Sequence, residues 1–296
     1  MDFKQLDIFI NVVKHGTFSK TAEKIYLTQP TISAHIAGLE KELGIILFER
    51  KGKTTELSEG GKMFYPLAVD IIEMKEIAIS AARSYKEGVR GKLVIGASTT
   101  VCNYILPKRM NDFIEIFPDV VFKIKQGNSA EVINDVLDYS TDLGIVGSIV
   151  KNNNLEYSDF AEDELVLIVP NIKKYKSWRY EVSIEDVIKE KFITREKGSG
   201  TRKRFEEELK INDISRENIK KVAEFDSLEG VIRAVEEGLG VAVVSTISTS
   251  NFVGREKMKA IRIKNFNLIR KFYIVNHKNR VLNPATEKFK EFLLNK

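Results

Sequence analysis

The chain has 296 residues, of which 43% are hydrophobic and 30% charged, and its 47 basic and 42 acidic residues leave a net charge of +5. This balance is typical of a globular protein with two or three domains, and it permits nucleic-acid binding without requiring it. No apolar run approaches the roughly 20 residues that cross a bilayer, no secretory signal is expected, and a single cysteine argues against a disulfide framework, so we expect a cytoplasmic protein with no membrane partner.

Metal and cofactor sites are not expected from the sequence. The three histidines, His15, His35 and His277, have no cysteine or histidine partner at metal-ligand spacing. The first 60 residues hold eight basic and eight acidic side chains. Any affinity of this part for DNA must therefore come from the local placement of its basic residues and from dimerisation.

The first two predicted elements are short helices. The second of them is predicted to start at Ser19, as N-cap, and to run to about Ile25. The first helix should pack beneath the elements that follow it, because its apolar residues recur on one face: Phe3, Leu6, Phe9, Ile10 and Val13.

A third helix is predicted from Thr28, a good N-cap, with Pro30 in its first turn and Gly44 at its end. One face of this helix is predicted to be buried, and the opposite face offers short polar groups suited to base edges and phosphates. A short helix, a tight turn and a helix with a hydrogen-bonding amino-terminal half form the helix-turn-helix layout. An ordinary pair of surface helices is the alternative. The buried stripe has spacings of 4, 3 and 4 (Ile32, Ile36, Leu39, Leu43), and the polar face carries Gln29, Ser33 and His35.

A wing is predicted directly after this helix. Ile45 to Phe48 is expected to form a short strand, and a second one lies around Glu56-Leu57. The turn between them is basic and contains Arg50, Lys51 and Lys53. Such a turn can follow a neighbouring phosphate backbone.

The residues of this region closely resemble the DNA-binding signature of LysR-type transcriptional regulators. The resemblance rests on FSKTAE (18–23), LTQPTIS (27–33), LEKELG (39–44) and LFER (47–50), collinear over roughly sixty residues. The sequence departs from the family at Ala34 and Ala37, where an arginine or another long polar residue is common, so His35 is expected to carry more of the contact. The resemblance implies double-stranded operator DNA as a partner and these contact residues: Ser19, Thr28, Gln29, Pro30, Thr31, Ser33, His35, Arg50, Lys51 and Lys53.

A long helix is predicted from Glu59 to Glu87, and we expect it to pair with a second copy of the chain. Its apolar residues keep an a/d heptad pattern over three repeats, which indicates a coiled coil, although a buried helix on a globular core is the alternative. Gly60-Gly61 is interpreted as a hinge. The predicted dimer seam consists of Phe64, Leu67, Ile71, Met74, Ala78, Ala81 and Tyr85.

From Lys92 onward strands and helices alternate, which predicts an α/β fold with a mainly parallel sheet. Strands are expected at 93–97, 120–126, 143–147, 164–169, 191–194, 222–225, 241–244 and 271–275, and helices at 106–117, 130–137, 202–209, 228–237 and 286–293. This order resembles the two-lobed, periplasmic-binding-protein-like effector domain of the same family. The resemblance implies crossings between lobes near Asp163 and Asn267. The predicted organisation is a winged helix-turn-helix domain (1–58), a linker and dimerisation helix (59–88) and an effector-binding domain (89–296) with lobe I at 89–163 and 268–296 and lobe II at 164–267.

Small polar residues follow the predicted strands of both lobes. Ligands of open α/β sheets bind beyond the carboxyl ends of strands, at helix N-termini, which favour anions. Each such turn taken alone is better explained as a helix cap, but several together predict a cleft for a small anionic effector, with Arg195 or Arg202 as possible sources of further charge. The predicted effector residues are Ser98, Thr99, Thr100, Asn128, Ser129, Gly147, Ser199, Thr201 and Asp226.

Three of these turns, at 98–100, 127–129 and 198–202, resemble the branch of the family linked to sulfur assimilation and carbon fixation genes. Cys102 lies just after the first turn and is interpreted as a small buried filler rather than a redox sensor, because a second cysteine that would resolve a sulfenic acid is absent. The sequence thus predicts an effector-controlled regulator that forms a homodimer and, by resemblance, a tetramer. A plain solute-binding protein is the alternative, and the lack of a catalytic motif argues against an enzyme.

Overall fold

The computed structural model describes residues 1–51, 54–87, 89–249 and 257–295, without the side chains of residues 50, 51, 54, 80, 81 and 83–87. The chain divides into two compact units. One comprises Met1–Gly88 with Arg280–Pro284, and the other comprises Val89–Asn279 with Ala285–Lys296. No helix in the described ranges has both the length and the apolar character needed to span a bilayer.

The amino-terminal unit is a winged helix-turn-helix built around one phenylalanine. The ring of Phe9 is buried, with its centroid 5.3 Å from that of Phe48 and 5.6 Å from that of Phe64. The wing and the long helix are therefore held to the first helix by one aromatic cluster. The elements are α1 (Phe3–His15), α2 (Phe18–Lys24), α3 (Gln29–Leu43), β1 (Phe48–Lys51), β2 (Thr54–Leu57) and α4 (Glu59–Glu87), and β1 and β2 pair antiparallel.

The ends of α2 and α3 test the cap predictions. Thr28 caps α3, Pro30 lies in its first turn, and Gly44 ends it in the left-handed region at φ 68°, as predicted. The cap predicted for α2 is wrong. Thr17, in an extended conformation, accepts the N–H of Lys20 at 3.2 Å, so the helix starts before Ser19.

Two further predictions in this unit are right only in part. The buried face of α1 consists of Leu6, Ile8, Phe9, Ile10 and Val12, whereas Phe3 is 51% exposed. Residues 45–47 are not a strand. The carboxylate of Glu40 on α3 accepts the N–H groups of Leu47 at 2.7 Å and Phe48 at 3.3 Å, which ties this segment to the helix before β1 begins.

The long helix α4 has the predicted extent, but its first turns are packed rather than hinged. A side chain at Gly61 would place its Cβ 2.1 Å from the carbonyl oxygen of Leu47, so only glycine allows this approach. The seam residue Phe64 is used inside the unit, since it is buried against Phe9. Leu67 and Met74 are exposed, Ile71 is half-buried, and the side chains of Ala81 and Tyr85 lie outside the described ones.

The second unit is a mixed α/β structure rather than one with a mainly parallel sheet. An eight-stranded sheet has the order β4-β3-β5-β12-β6-β11-β7, with β10 also paired to β6, and β8 and β9 form a separate parallel pair. The strands are β3 (Gly91–Ser98), β4 (Val120–Gly127), β5 (Leu143–Val146), β6 (Leu155–Pro170), β7 (Glu181–Val182), β8 (Phe192–Arg195), β9 (Lys221–Phe225), β10 (Ala242–Ser245), β11 (Met258–Ile263) and β12 (Ile269–His277). The helices are α5 (Leu106–Ile116), α6 (Ser129–Leu137), α7 (Ile184–Val187), α8 (Gly200–Ile211), α9 (Leu228–Glu236), α10 (Thr246–Thr249) and α11 (Pro284–Leu294).

The strand β6 runs through both lobes. Its first part pairs antiparallel with β12 as far as Glu164 opposite Ile269, and from Leu165 onward it pairs with β10 and β11. Among the described strands, the parallel pairs are β3 with β4 and β5, β7 with β11, and β8 with β9. Below, lobe I denotes the part with β3, β4, β5 and β12, and lobe II the part with β8 to β11. The strands β3 of lobe I and β8 of lobe II end at one cleft, and β12, which is antiparallel to β5, begins there.

Candidate functional site

The cleft between the two lobes of the second unit is formed by strand ends and helix starts. The strand β3 ends at Ser98, and Asn128 caps α6 by accepting the N–H groups of Ala130 and Glu131, both at 3.0 Å. On the other lobe Ser199 caps α8 through the N–H of Arg202. The positive ends of two helix dipoles therefore point toward the same space.

Most of the predicted effector residues lie around this space. It is lined by Ser98, Thr99, Thr100, Asn128, Ser129, Arg195, Ser199, Gly200, Thr201 and Arg270. Gly147 lies beside it, where its N–H donates to Ser129 Oγ at 3.1 Å. Asp226 does not line it: the side chain is exposed, and only its carbonyl oxygen takes part, by accepting Nη2 of Arg195 at 3.1 Å.

The lobes close tightly over the cleft. A Cβ on Gly200 would lie 3.0 Å from the carbonyl group of Gly147, and one on Gly198, at φ 101°, would lie 2.7 Å from Asn128 Oδ1. The space between the two lobes is small, about 10 Å³, which corresponds to about one water. A larger ligand must therefore separate these two backbones.

Arg270 reaches the cleft from β12, a position that sequence reasoning missed. Its side chain is 5% exposed and forms a buried ion pair with Asp163, with Nε and Nη2 at 2.8 and 2.7 Å from Oδ2. Its Nη1 donates to Thr201 Oγ1 at 3.1 Å, and Ser245 donates to the other carboxylate oxygen of Asp163 at 2.7 Å. The alternation of side chains between the two faces of β12 could have indicated this position, because it puts Arg270 on the buried face with Phe272 and Ile274.

Arg195 is the second cation of the cleft, and Arg202 is not one. The guanidinium of Arg195 is buried, binds the carboxylate of Glu196 and lies 3.5 Å from Thr99 Oγ1 on the opposite lobe. Arg202 does not line this space and instead pairs with Glu206 and Glu224.

Two buried polar atoms in the cleft are left without a hydrogen bond. Ser98 Oγ has no partner among the described residues, and Nη2 of Arg270, although close to Asp163, does not have hydrogen-bond geometry. Burial lowers the pKa of the Arg270 guanidinium, and the charge and hydrogen bond of Asp163 oppose that shift. Unpaired buried donors cost free energy unless a ligand satisfies them.

Cys102 lies two residues after Thr100, in a π-helical turn (Val101–Ile105) that precedes α5. It is half-buried rather than fully buried, so its interpretation as a core filler is wrong. Burial raises the pKa of its thiol, which disfavours the reactive thiolate.

The predicted DNA-contact residues occupy one end of α3 in the other unit. Thr28, Gln29 and Pro30 are exposed, and the half-buried group consists of Thr31, Ser33 and His35. Ser19 is exposed on α2. The side chains of Arg50 and Lys51, and the whole of Lys53, lie outside the described residues. Sequence reasoning missed Tyr26 in the turn between α2 and α3, which is 94% exposed and has a left-handed backbone at φ 57°.

Two family models match the chain, together covering both units. Residues 3–62 match "Bacterial regulatory helix-turn-helix protein, lysR family", and residues 86–296 match "LysR substrate binding domain". The chain belongs to the LysR family. It is therefore a transcriptional regulator with an effector-binding domain, and not an enzyme.

Individual LysR-family proteins resemble the chain over nearly its full length. The HTH-type transcriptional regulator CysL of Bacillus subtilis (strain 168) is 33% identical over 93% of this chain and 91% of its own. Full-length CbnR, solved in complex with its target DNA, has a TM-score of 0.68 at 19% identity and covers 99% of both chains. The regulatory domain of Synechocystis PCC6803 CcmR, solved with 2-PG, has a TM-score of 0.63 at 25% identity over 69% of this chain and 96% of its own.

Proposed function

We propose that this LysR-family regulator binds operator DNA sequence-specifically in the cytoplasm and is controlled by a small anion held between lobes I and II. The single observation that carries the effector assignment is the composition of the cleft. Its ten lining residues comprise six hydroxyl side chains from lobe I and lobe II turns, two buried arginines and no acidic side chain. Hydroxyls, arginines and helix N-termini are the groups that bind small oxyanions.

The anion is proposed to take the donors that the protein leaves open. Ser98 Oγ from lobe I lies in the cleft without a hydrogen bond among the described residues, and Arg270, whose guanidinium is paired with Asp163, adds positive charge to the lining. Thr99, Thr100 and Thr201 add hydroxyl groups from both lobes, with Asn128 and Ser129 at the side. A ligand bridging the lobes stabilises one interlobe angle, and it shifts the equilibrium only by its differential affinity for the two angles.

Sulfur or carbon-fixation metabolism is the proposed setting. The turns at 98–100, 127–129 and 198–202 resemble that branch of the family, and CcmR, which was solved with 2-PG, supports a small anion in this domain. A solute-binding protein without a DNA role is disfavoured, because residues 3–62 match the helix-turn-helix model.

The operator face is proposed to be the exposed end of α3. Gln29 and Ser33 would read bases, while Thr28, Pro30, Thr31, His35 and Ser19 lie near enough to assist, and Arg50, Lys51 and Lys53 of the wing would bind phosphates. Tyr26 adds an exposed hydroxyl at the same turn. We also propose a homodimer through α4 and a tetramer, since two half-sites on DNA are bound by two DNA-binding domains of one oligomer.

Calorimetric titration of the full-length protein with sulfate and with 2-phosphoglycolate, with glycerol as the uncharged control, tests the effector proposal. Thr100→Val and Thr201→Val keep the shape and remove a hydroxyl, and each should weaken anion binding by about 1–3 kcal/mol, or roughly fivefold to 150-fold. Thr194→Val serves as the matched control because its hydroxyl, 3.4 Å from the Ala223 carbonyl oxygen, lies outside the cleft. Anion affinities that stay at the parental value in both cleft variants would place the effector elsewhere.

A further inference from the structure

A second cavity lies in lobe II, behind the wall of the cleft. It is bounded by α8 and by the strands β8 and β9, and its volume of about 320 Å³ falls in the range of small-molecule sites. Its inner surface is apolar and is formed by Phe192, Ile193, Phe205, Leu209, Ile219 and Val243. Phe192 and Phe205 stack in parallel, with centroids 5.2 Å apart.

Two buried side chains separate this cavity from the cleft. Arg195 and Thr201 line both spaces, and they are only 5% and 6% exposed. Arg195 is fixed by Glu196, and Thr201 accepts from Arg270. The cavity is therefore a separate space and not an extension of the cleft.

The rim of the cavity carries charges of both signs and includes one exposed arginine that is not in an ion pair with any described residue. Its lining contains four cationic side chains (Arg195, Arg202, Arg216 and Lys221) and two carboxylates (Glu206 and Glu217). Arg202 and Lys221 are already paired with Glu206 and Glu224. Arg216 is exposed and has no ion pair within the described part of the chain, so its guanidinium is available to an anionic group at the mouth.

We propose that this cavity is a second ligand site, which takes a molecule with a flat apolar body and one anionic group that pairs with Arg216. The apolar body would lie against Phe205, Leu209 and Val243, where burial of its surface is the main source of affinity. The anionic group would remain at the rim, where the ion pair sets orientation more than strength.

The test uses 8-anilinonaphthalene-1-sulfonate, a flat apolar anion, with the neutral N-phenyl-1-naphthylamine as comparison, on the full-length protein. The single tryptophan of the chain, Trp178, packs against the same core that contains Phe192, Phe205 and Leu209. Energy transfer from Trp178 to the dye therefore reports binding close to this core, and the variants below locate the site. We expect saturable transfer with one dye per chain.

Two variants and one control decide the outcome. Ile219→Phe fills part of the cavity and should weaken both dyes at least about fivefold, whereas Arg216→Ala should weaken the anionic dye about threefold to tenfold and leave the neutral one unchanged. Arg179→Ala removes another exposed arginine of lobe II, outside the cavity, and should change neither. The proposal is overturned if transfer does not saturate, or if Arg216→Ala and a folded Ile219→Phe bind like the parent.

The control variants also separate this site from the effector cleft. Thr100→Val lies in the cleft and not in the cavity lining, so it should leave binding of both dyes unchanged. If Ile219→Phe lowers the melting temperature too far for titration, the selective loss of the anionic dye in Arg216→Ala is the deciding result. Loss of dye binding in Thr100→Val would contradict a separate site.

Discussion

The buried ion pair between Asp163 and Arg270 affects both the stability of the fold and the lining of the cleft. Both side chains are at most 5% exposed, and the pair joins Ser245 of lobe II to Thr201 at the cleft. Burying two charges carries a desolvation cost that only good geometry repays. Removing one partner therefore leaves the other as an uncompensated buried charge.

We expect Arg270→Met to lower the free energy of unfolding by about 3–5 kcal/mol, because Asp163 stays buried without its cation. The matched control is Arg262→Met. Arg262 pairs with Glu164 at 2.8 Å but is 65% exposed, so its loss should cost at most about 1 kcal/mol. Urea denaturation followed by circular dichroism measures both. Equal losses of unfolding free energy in the two variants would show that burial of the Arg270–Asp163 pair does not affect the cost of removing the arginine.

Gln29 is the side chain on which base recognition is expected to depend most. Gln29→Ala should weaken binding to the specific operator by about 1–3 kcal/mol and relax the preference for one base, because a bidentate contact to a base edge is lost. Fluorescence anisotropy with operator and scrambled duplexes measures this at fixed salt. Gln126→Ala, an exposed glutamine of the other unit, is the control and should bind operator like the parent.

Single residues were predictable from sequence where the chemistry is local. Thr28 and Gly44 end α3 as expected, because cap and left-handed positions depend on the residue itself. Thr17 was overlooked as the cap because Ser19 is also a good N-cap residue. Phe18 lies inside the helix, with its ring centroid 5.7 Å from that of Phe48. The partnership of Arg270 with Asp163 joins residues far apart in sequence, and no local pattern encodes it.

At the scale of elements, the start of α4 depends on backbone approach. Ser58 accepts the N–H of Gly61 at 2.9 Å and donates to the Ile46 carbonyl oxygen at 2.5 Å. The helix therefore lies directly on residues 46–47 and leaves no room for a side chain at Gly61.

Gly61→Ala should destabilise the amino-terminal unit by several kcal/mol, since its Cβ would lie 2.1 Å from a backbone oxygen that cannot move freely. Gly38→Ala on α3 is the control. Its Cβ would meet only the flexible end of Gln5 at 3.1 Å, so the higher helix propensity of alanine, about 1 kcal/mol, should dominate. Thermal unfolding should move in opposite directions for the two variants, and a neutral Gly61→Ala would refute the close contact.

The solvent-facing side of α4 is the expected dimer contact. Leu67 and Met74 are exposed and Ile71 lies between them on the same helix face. Ile71→Asp would place a charge in this apolar seam and should dissociate the dimer. Lys62→Asp, on the opposite face of α4, is the control. Sedimentation velocity distinguishes the two, and an unchanged oligomer for Ile71→Asp would exclude it from the seam.

Most helices and strands could be predicted from periodicity, but the first half of β6 could not. Residues 155–163 contain Glu156, Asp159, Glu162 and Asp163, a composition that resembles a loop. They form a strand because β12 pairs with them and supplies Lys271, 2.5 Å from Asp159. The antiparallel pairs of β5, β6 and β12 were missed for the same reason, since strand direction in a sheet is set by tertiary pairing.

At the scale of the whole molecule, the two units could be anticipated in kind. Motifs of the first unit are dense and local, and the alternation of strands and helices in the second predicts a layered α/β fold. The convergence of the strand-end turns on one cleft followed from the general rule for open sheets. Its closure to about one water, set by Gly147 against Gly200, depends on backbone distances that no residue pattern contains.

The strands β6 and β12 form an antiparallel pair, and the chain that connects their paired ends forms lobe II. Glu164 faces Ile269 in the register, yet about 100 residues separate them, so closing this pair from an unfolded chain carries a large entropic cost. We expect lobe II to fold first and to bring the two strand ends together. In pulsed hydrogen exchange during refolding, amides of β8 to β10 should then gain protection before those of β12. Earlier protection of β12 would mean that the long-range pairing directs the folding of lobe II.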